Sequence, residues 1–123
     1  MRFMMQIYQR DALAVQEDLS REEQQRVWAD YAAIRDTPGV SPGERLADPV
    51  DAKTVRIESG KTLMTDGPFA ETKEALAGFY LFEARDLNEA IQLAAKIPPA
   101  RVGCVEVRPI RPIREQPRAG RTT

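Results

Sequence analysis

Ten residues near the middle of the chain hold its densest set of reactive groups: Thr65-Asp66-Gly67-Pro68-Phe69-Ala70-Glu71-Thr72-Lys73-Glu74. Three carboxylates, Asp66, Glu71 and Glu74, stand close to one amine, Lys73. Carboxylates beside a lysine can exchange protons as general acid and base, or hold a cationic or hydroxylated ligand. Burial is what would move such a carboxyl group towards neutral pH. A short charge run is more often a solvated face, and both readings stay open. Turn chemistry alone accounts for Asp66 to Phe69. Asp66 can bond its downstream backbone, Gly67 frees the torsions, Pro68 fixes φ, and Phe69 is expected to anchor the turn in the core. Glu71, Lys73 and Glu74, coming directly after it, need a further reason. We therefore take Asp66, Glu71 and Glu74 as acid/base candidates, with Lys73 and Phe69 as ligand contacts.

Outside this stretch the candidates are sparse. Glu44 comes after a Pro-Gly pair, and Tyr8, Glu106 and Arg108 fall on one side of two strands; Tyr8, Glu44 and Arg108 are further candidate ligand contacts. An Arg108–Glu106 ion pair at an interface would explain those two residues without a ligand. Cys104 has no histidine to activate it, so a core position is the simpler expectation. Gly60-Lys61-Thr62 looks like the end of a phosphate-binding loop, but Val55 stands where the earlier glycine is required and a strand comes next, so a hairpin turn explains it.

The chain has 123 residues, a net charge of −1, one cysteine and no histidine. That length suits one domain with a single core. The lack of histidine removes the usual near-neutral base and the Ser-His-Asp and Cys-His arrangements. A zinc site would have only carboxylates and one thiol to draw on, so no metal and no cofactor is expected. With so little net charge, no global field would recruit nucleic acid or an anionic membrane. The lone thiol fits a reducing compartment, and no apolar run has the length of a membrane span, so a cytoplasmic protein is expected.

The elements that must position these groups are readable from periodicity. Residues 2–8 alternate as a strand, with Phe3, Met5 and Ile7 on one side and Met4, Gln6 and Tyr8 on the other. Ser20 and Glu23 form a capping box ahead of a helix whose Trp28, Tyr31 and Ile34 recur at helical spacing, with Trp28 and Tyr31 expected in the core, and Thr37-Pro38-Gly39 stops it. Residues 40–50 read as a loop with a short extended piece, because Pro42, Gly43 and Pro49 interrupt them. Residues 54–58 and 61–65 form a hairpin about Ser59-Gly60. Residues 77–84 are apolar on both faces, as in an inner strand. Asp86, with Glu89, caps a second helix buried through Leu87, Ala90, Ile91, Ala94 and Ile97. Residues 102–108 form the last strand, and the arginine- and proline-rich 111–123 read as a flexible tail after a domain at 1–110.

This order predicts an α+β fold: ferredoxin-like βαββαβ with an extra β-hairpin. Two helices cover one sheet face only, so the other is expected to pair two copies face to face.

The central ten residues resemble the signature of the Asp-Gly-Pro-Phe branch of the YCII-related family. Met4-Met5-Gln6-Ile7-Tyr8, Gly78-Phe79-Tyr80 and Val102-Gly103-Cys104-Val105-Glu106-Val107-Arg108-Pro109 are similar to it as well. The resemblance spans roughly residues 1–110 and implies a dimeric α+β barrel, hence a homodimer. Members of the wider family are suspected enzymes with a His-Asp pair at the working centre, which this histidine-free chain lacks. Branch members are often encoded near extracytoplasmic-function sigma factors, which makes a sigma factor a second kind of partner. The resemblance supports two readings. One is a small polar or aromatic ligand bound near Asp66 at the dimer face. The other is a non-catalytic regulatory or protein-interaction module.

Overall fold

A computed structural model describes residues 1–10, 19–70, 73–97 and 103–113. The elements run β1 (Arg2–Gln9), α1 (Arg21–Arg35), β2 (Val40–Arg45), a short 3-10 turn (Pro49–Asp51), β3 (Lys53–Glu58), β4 (Lys61–Asp66), β5 (Ala75–Glu83), α2 (Leu87–Ala94) and β6 (Gly103–Pro109). Four strands make one antiparallel sheet in the order β2-β5-β1-β6, while β3 and β4 pair only with each other. Without β3 and β4, the remaining elements read βαββαβ with the last strand beside the first. This is a mixed α+β architecture consistent with a ferredoxin-like fold.

The alternation along β1 sets the layers. Phe3, Met5 and Ile7 are buried and share one core with Ile34 of α1, Phe82 of β5 and Ala90, Leu93 and Ala94 of α2. Both helices therefore lie on one sheet face. Each large aliphatic or aromatic side chain removed from water there contributes roughly 1.5–3 kcal/mol before entropy is charged. Val105 and Val107 stand opposite Ile7 and Met5 and extend that face, whereas Gln6 faces Glu106 and Phe79 on the other.

Both helices start where their caps predict. The Ser20 hydroxyl accepts from the Glu23 N–H at 3.1 Å, and Glu23 accepts from the Ser20 N–H at 3.4 Å. Asp86 accepts from the Glu89 N–H at 2.9 Å, while the Glu89 carboxylate reaches back to the Arg85 N–H rather than to that of Asp86.

Three expectations are corrected. First, residues 40–45 are a strand rather than a loop, paired with β5 on its outer side. The register shifts between Ser41 and Glu44, and Pro42 sits in that irregularity on an edge strand, where a missing N–H costs no ladder bond. Gly43 is required there, because a Cβ at this position would overlap the Phe79 carbonyl oxygen of the neighbouring strand. Second, Trp28 is 65% exposed, so α1 buries Ile34 and half-buries Tyr31 without using the indole. Third, Leu87 and Ile91 stay half-exposed, and Leu93 takes their place in the core of α2. An eight-residue helix turns only a narrow stripe towards the sheet.

Replacing Gly43 by valine should cost more than about 2 kcal/mol, read from urea unfolding, since the clash is with backbone that cannot turn away. Tyr31 supplies a pH signature. Burial first, then the neighbouring Tyr80, pushes its phenol up to about 12, against an opposing pull from Arg45. A phenol raised in the folded state stabilises fully below the ordinary value near 10, and that contribution is lost as pH rises through the folded value. Melting temperatures of the parent should therefore fall between pH about 10 and 12 more steeply than those of Tyr31→Phe. Equal slopes would place the phenol in water.

Candidate functional site

The β3–β4 hairpin positions the central motif. Ser59 and Gly60 both take positive φ, 50° and 75°, as a two-residue type I′ turn requires. That turn pairs Glu58 with Lys61 and, counting back along the ladder, Lys53 with Asp66. The arm ends in Gly67 at φ 89°, which only glycine adopts freely. Its N–H donates to the Ala52 carbonyl at 2.7 Å, and the Thr54 hydroxyl donates to the Gly67 carbonyl at 2.9 Å. The chain leaving β4 is thus tied to the foot of β3, and Pro68 stiffens the backbone just beyond it.

Below this turn lies an open cleft of about 390 Å³, lined by Pro49, Val50, Asp66, Gly67, Pro68, Ala70 and Ala75. Its volume is at the small end of ligand sites. Among the described residues the walls are proline, valine, alanine and glycine, and Asp66 is the one ionisable lining residue. Lys53 donates from its ammonium to Asp66 Oδ1, an exposed pair that contributes about 1 kcal/mol at most. The amine expected beside Asp66 was Lys73, but Lys53 is the one that pairs with it. Nothing in the charge pattern of the motif points to Lys53; the hairpin register does.

The other candidates do not gather at the cleft. Phe69 is 76% exposed, a correction to the expected core anchor, and the Arg56 guanidinium sits 5.1 Å from its ring centroid. Lys73 is exposed, and Glu71 lies outside the described residues. Tyr8, Glu44, Glu74 and Arg108 all belong to the sheet face away from the helices. Tyr8 stands between Leu76 and Cys104, and Glu44 stands opposite Phe79. Arg108 Nη2 donates to Glu106 Oε1 at 2.6 Å along the same strand.

Cys104 is exposed on this face rather than in the core, because the β1–β6 register sets it opposite Tyr8 and not Ile7. Its thiol is pushed up from the ordinary range. Desolvation by the surrounding chain is the largest cause, and next come the hydrogen bond to Glu74 and the charges of Glu74 and Glu106. A thiolate between two carboxylates is disfavoured, so this sulfur is a poor nucleophile at neutral pH. Among the described residues no group of three or more His, Cys, Asp or Glu side chains is placed to hold a metal ion, and no helix is long and apolar enough to cross a membrane.

Chemically, the cleft can accept a hydrogen bond or a positive charge at Asp66 and pack a flat apolar body against Pro49, Val50 and Pro68. The sheet face offers carboxylates, a phenol and a protonated thiol. Reaction of Cys104 with an aromatic disulfide reagent at pH 8 should be slower than that of a free thiol, and Glu74→Gln should accelerate it several-fold. An unchanged rate in that variant would remove the Glu74–Cys104 coupling.

Comparison with known proteins bears on the chain as a whole. The family model described as YCII-related domain matches residues 1–114. An uncharacterised protein of Rhizobium meliloti (strain 1021) is 40% identical over 97 residues, covering 74% of this chain and 78% of that protein.

Proposed function

This chain belongs to the YCII-related family, and on that premise we propose that it binds a small polar or aromatic ligand in the cleft beside the Asp66-Gly67-Pro68 turn. The observation that carries the reading is the pairing of one anchored carboxylate with walls that are otherwise apolar among the described residues. Such a site orients a ligand through a single polar contact and takes the rest of its affinity from burial. Asp66 accepts from a hydroxyl or amine of the ligand. Lys53 is already paired with that carboxylate and restrains its position. Ala70 and Ala75 leave the space the ligand fills. Glu74 does not line the cleft, so acid/base work, if the bound molecule reacts, falls to Asp66 among the described candidates.

The competing reading is a regulatory module that engages an extracytoplasmic-function sigma factor. It draws on residues 111–123, of which 114–123 lie outside the described residues. Removing 111–123 separates the two readings, because the described residues lining the cleft all precede that segment.

A panel of phenols, amino alcohols and aromatic amines, screened by ligand-observed NMR and thermal shift, tests the proposal. Hits should lose about tenfold or more in affinity with Asp66→Asn, and a similar amount with Ala70→Leu, which fills the cleft. Lys73→Met, away from the lining, should bind as the parent does. The proposal is wrong if no compound binds, or if every compound binds Asp66→Asn and Ala70→Leu as tightly as the parent.

A further inference from the structure

Two phenols and two guanidinium groups converge at the β2 edge of the main sheet, on the side that the helices cover. Register fixes the side. Arg45 stands opposite Gly78, and Gly78 stands opposite Ile7 of the buried row, so Arg45 shares the helix-covered face. Tyr80, opposite Met5, lies on that same face two residues further along β5. Its ring fits against the bare Gly43, where a Cβ would come within 3.0 Å of it. The helix α1 packs against β2 and brings the other half. Trp28, Tyr31 and Arg35 recur there at i, i+3 and i+7, along one side of the helix. Tyr31 interacts electrostatically with both Tyr80 and Arg45, and Tyr80 with Arg35, which closes the ring of four.

This cluster holds donors without an acceptor. Both guanidinium groups keep their charge at any ordinary pH and can only donate. Burial is the largest influence on each phenol and pushes both up, so their hydroxyls keep their protons at neutral pH. Among the described residues none of the four side chains has a hydrogen bond or ion pair within the chain. The other cations contrast with this: Lys53 pairs with Asp66, Arg85 with Glu89, and Arg108 with Glu106. Arg35 offsets the negative end of α1, which accounts for its sign, but Arg45 ends a strand and has no such duty. Half-buried hydroxyls beside two unpaired guanidinium groups leave hydrogen-bonding capacity that an oxyanion would complete. Trp28, 65% exposed and with no place in the core, stands one turn before Tyr31 on the same side.

We propose that Arg35, Arg45, Tyr31 and Tyr80 bind the carboxylate of a small aromatic acid, whose ring lies along Trp28. The planar guanidinium fork matches a carboxylate through paired hydrogen bonds, and the indole offers a flat apolar surface to the ring. The site shares no described residue with the β3–β4 arm or with the cleft at its foot, so it stands even if the cleft beside Asp66 binds nothing.

Trp28 is the only tryptophan, so its indole N–H gives a single resonance in heteronuclear NMR of the labelled full chain. Benzoate, titrated through the millimolar range, should shift that resonance saturably. Benzamide, which has the ring without the charge, should leave it in place, and acetate and inorganic phosphate should bind at least tenfold more weakly. Arg45→Gln should weaken benzoate about tenfold, and Arg35→Gln combined with it should abolish the shift. Tyr31→Phe with Tyr80→Phe should weaken it several-fold, because the rings stay and only the donors go. Lys96→Gln, which removes a positive charge elsewhere, should bind as the parent does and so controls for net charge. Backbone resonances in each variant report that the fold is kept. An indole resonance that benzoate leaves unmoved, an equal response to benzamide or phosphate, or a double arginine variant that binds as tightly as the parent would each overturn the proposal.

Discussion

Phe3, Met5 and Ile7 cannot be buried under both helices without turning Met4, Gln6 and Tyr8 the other way. That strict alternation in an inner strand is the constraint on which the rest of the molecule depends. β1 is bonded on both edges, so its register passes without freedom to β5 and β6. Val105 and Val107 must join the core, and Cys104, Glu106 and Arg108 must leave it. A slip of one residue would exchange the two sets and bury an ion pair in place of two valines. The sheet thus acquires one dry face and one face with mixed chemistry.

β2 extends that order to the far edge of the sheet. Its close approach to β5 depends on Gly43 lying against the Phe79 carbonyl, and the strand absorbs Pro42 through a local irregularity rather than breaking. Beyond Arg45 the chain leaves the sheet, continues through Pro49–Asp51, and returns to β5 only at Ala75. The arm is this excursion. Its foot is held by the Gly67–Ala52 and Thr54–Gly67 hydrogen bonds, and the cleft beside Asp66 is the space between that foot and the start of β5. The positions of cleft and arm therefore depend on where β2 ends and β5 begins. Turn chemistry explains only the angle between them.

The elements were legible where a single local rule sufficed. Ser20 with Glu23, Asp86 ahead of α2, and the Ser59-Gly60 turn each place a boundary through contacts made within a few residues. The same locality explains the errors. Residues 40–45 look like a loop because Pro42 and Gly43 are poor strand formers, and only the neighbouring β5 makes a strand of them. Trp28 recurs at helical spacing with Tyr31 and Ile34, but α1 packs on a narrow line through Ile34 and leaves the indole outside. Phe69 comes after a rigid turn, and that turn carries it away from the core to meet Arg56. In each case the residue's environment depends on an element distant in sequence.

The sequence by itself determined the alternation of β1, the β3–β4 hairpin, the caps of both helices, the absence of histidine chemistry, and the rigid turn at Asp66. All of these rest on residue type and near neighbours. The tertiary structure decided which charged groups keep company. It joined Asp66 to Lys53 through hairpin pairing, set Glu74 beside Cys104, and left Phe69 in water. The described members of ten consecutive residues that looked like one site are divided between a cleft, an arm and a sheet face. The physical reason is geometric: Asp66 closes β4 whereas Glu74 opens onto β5, and these strands belong to different sheets.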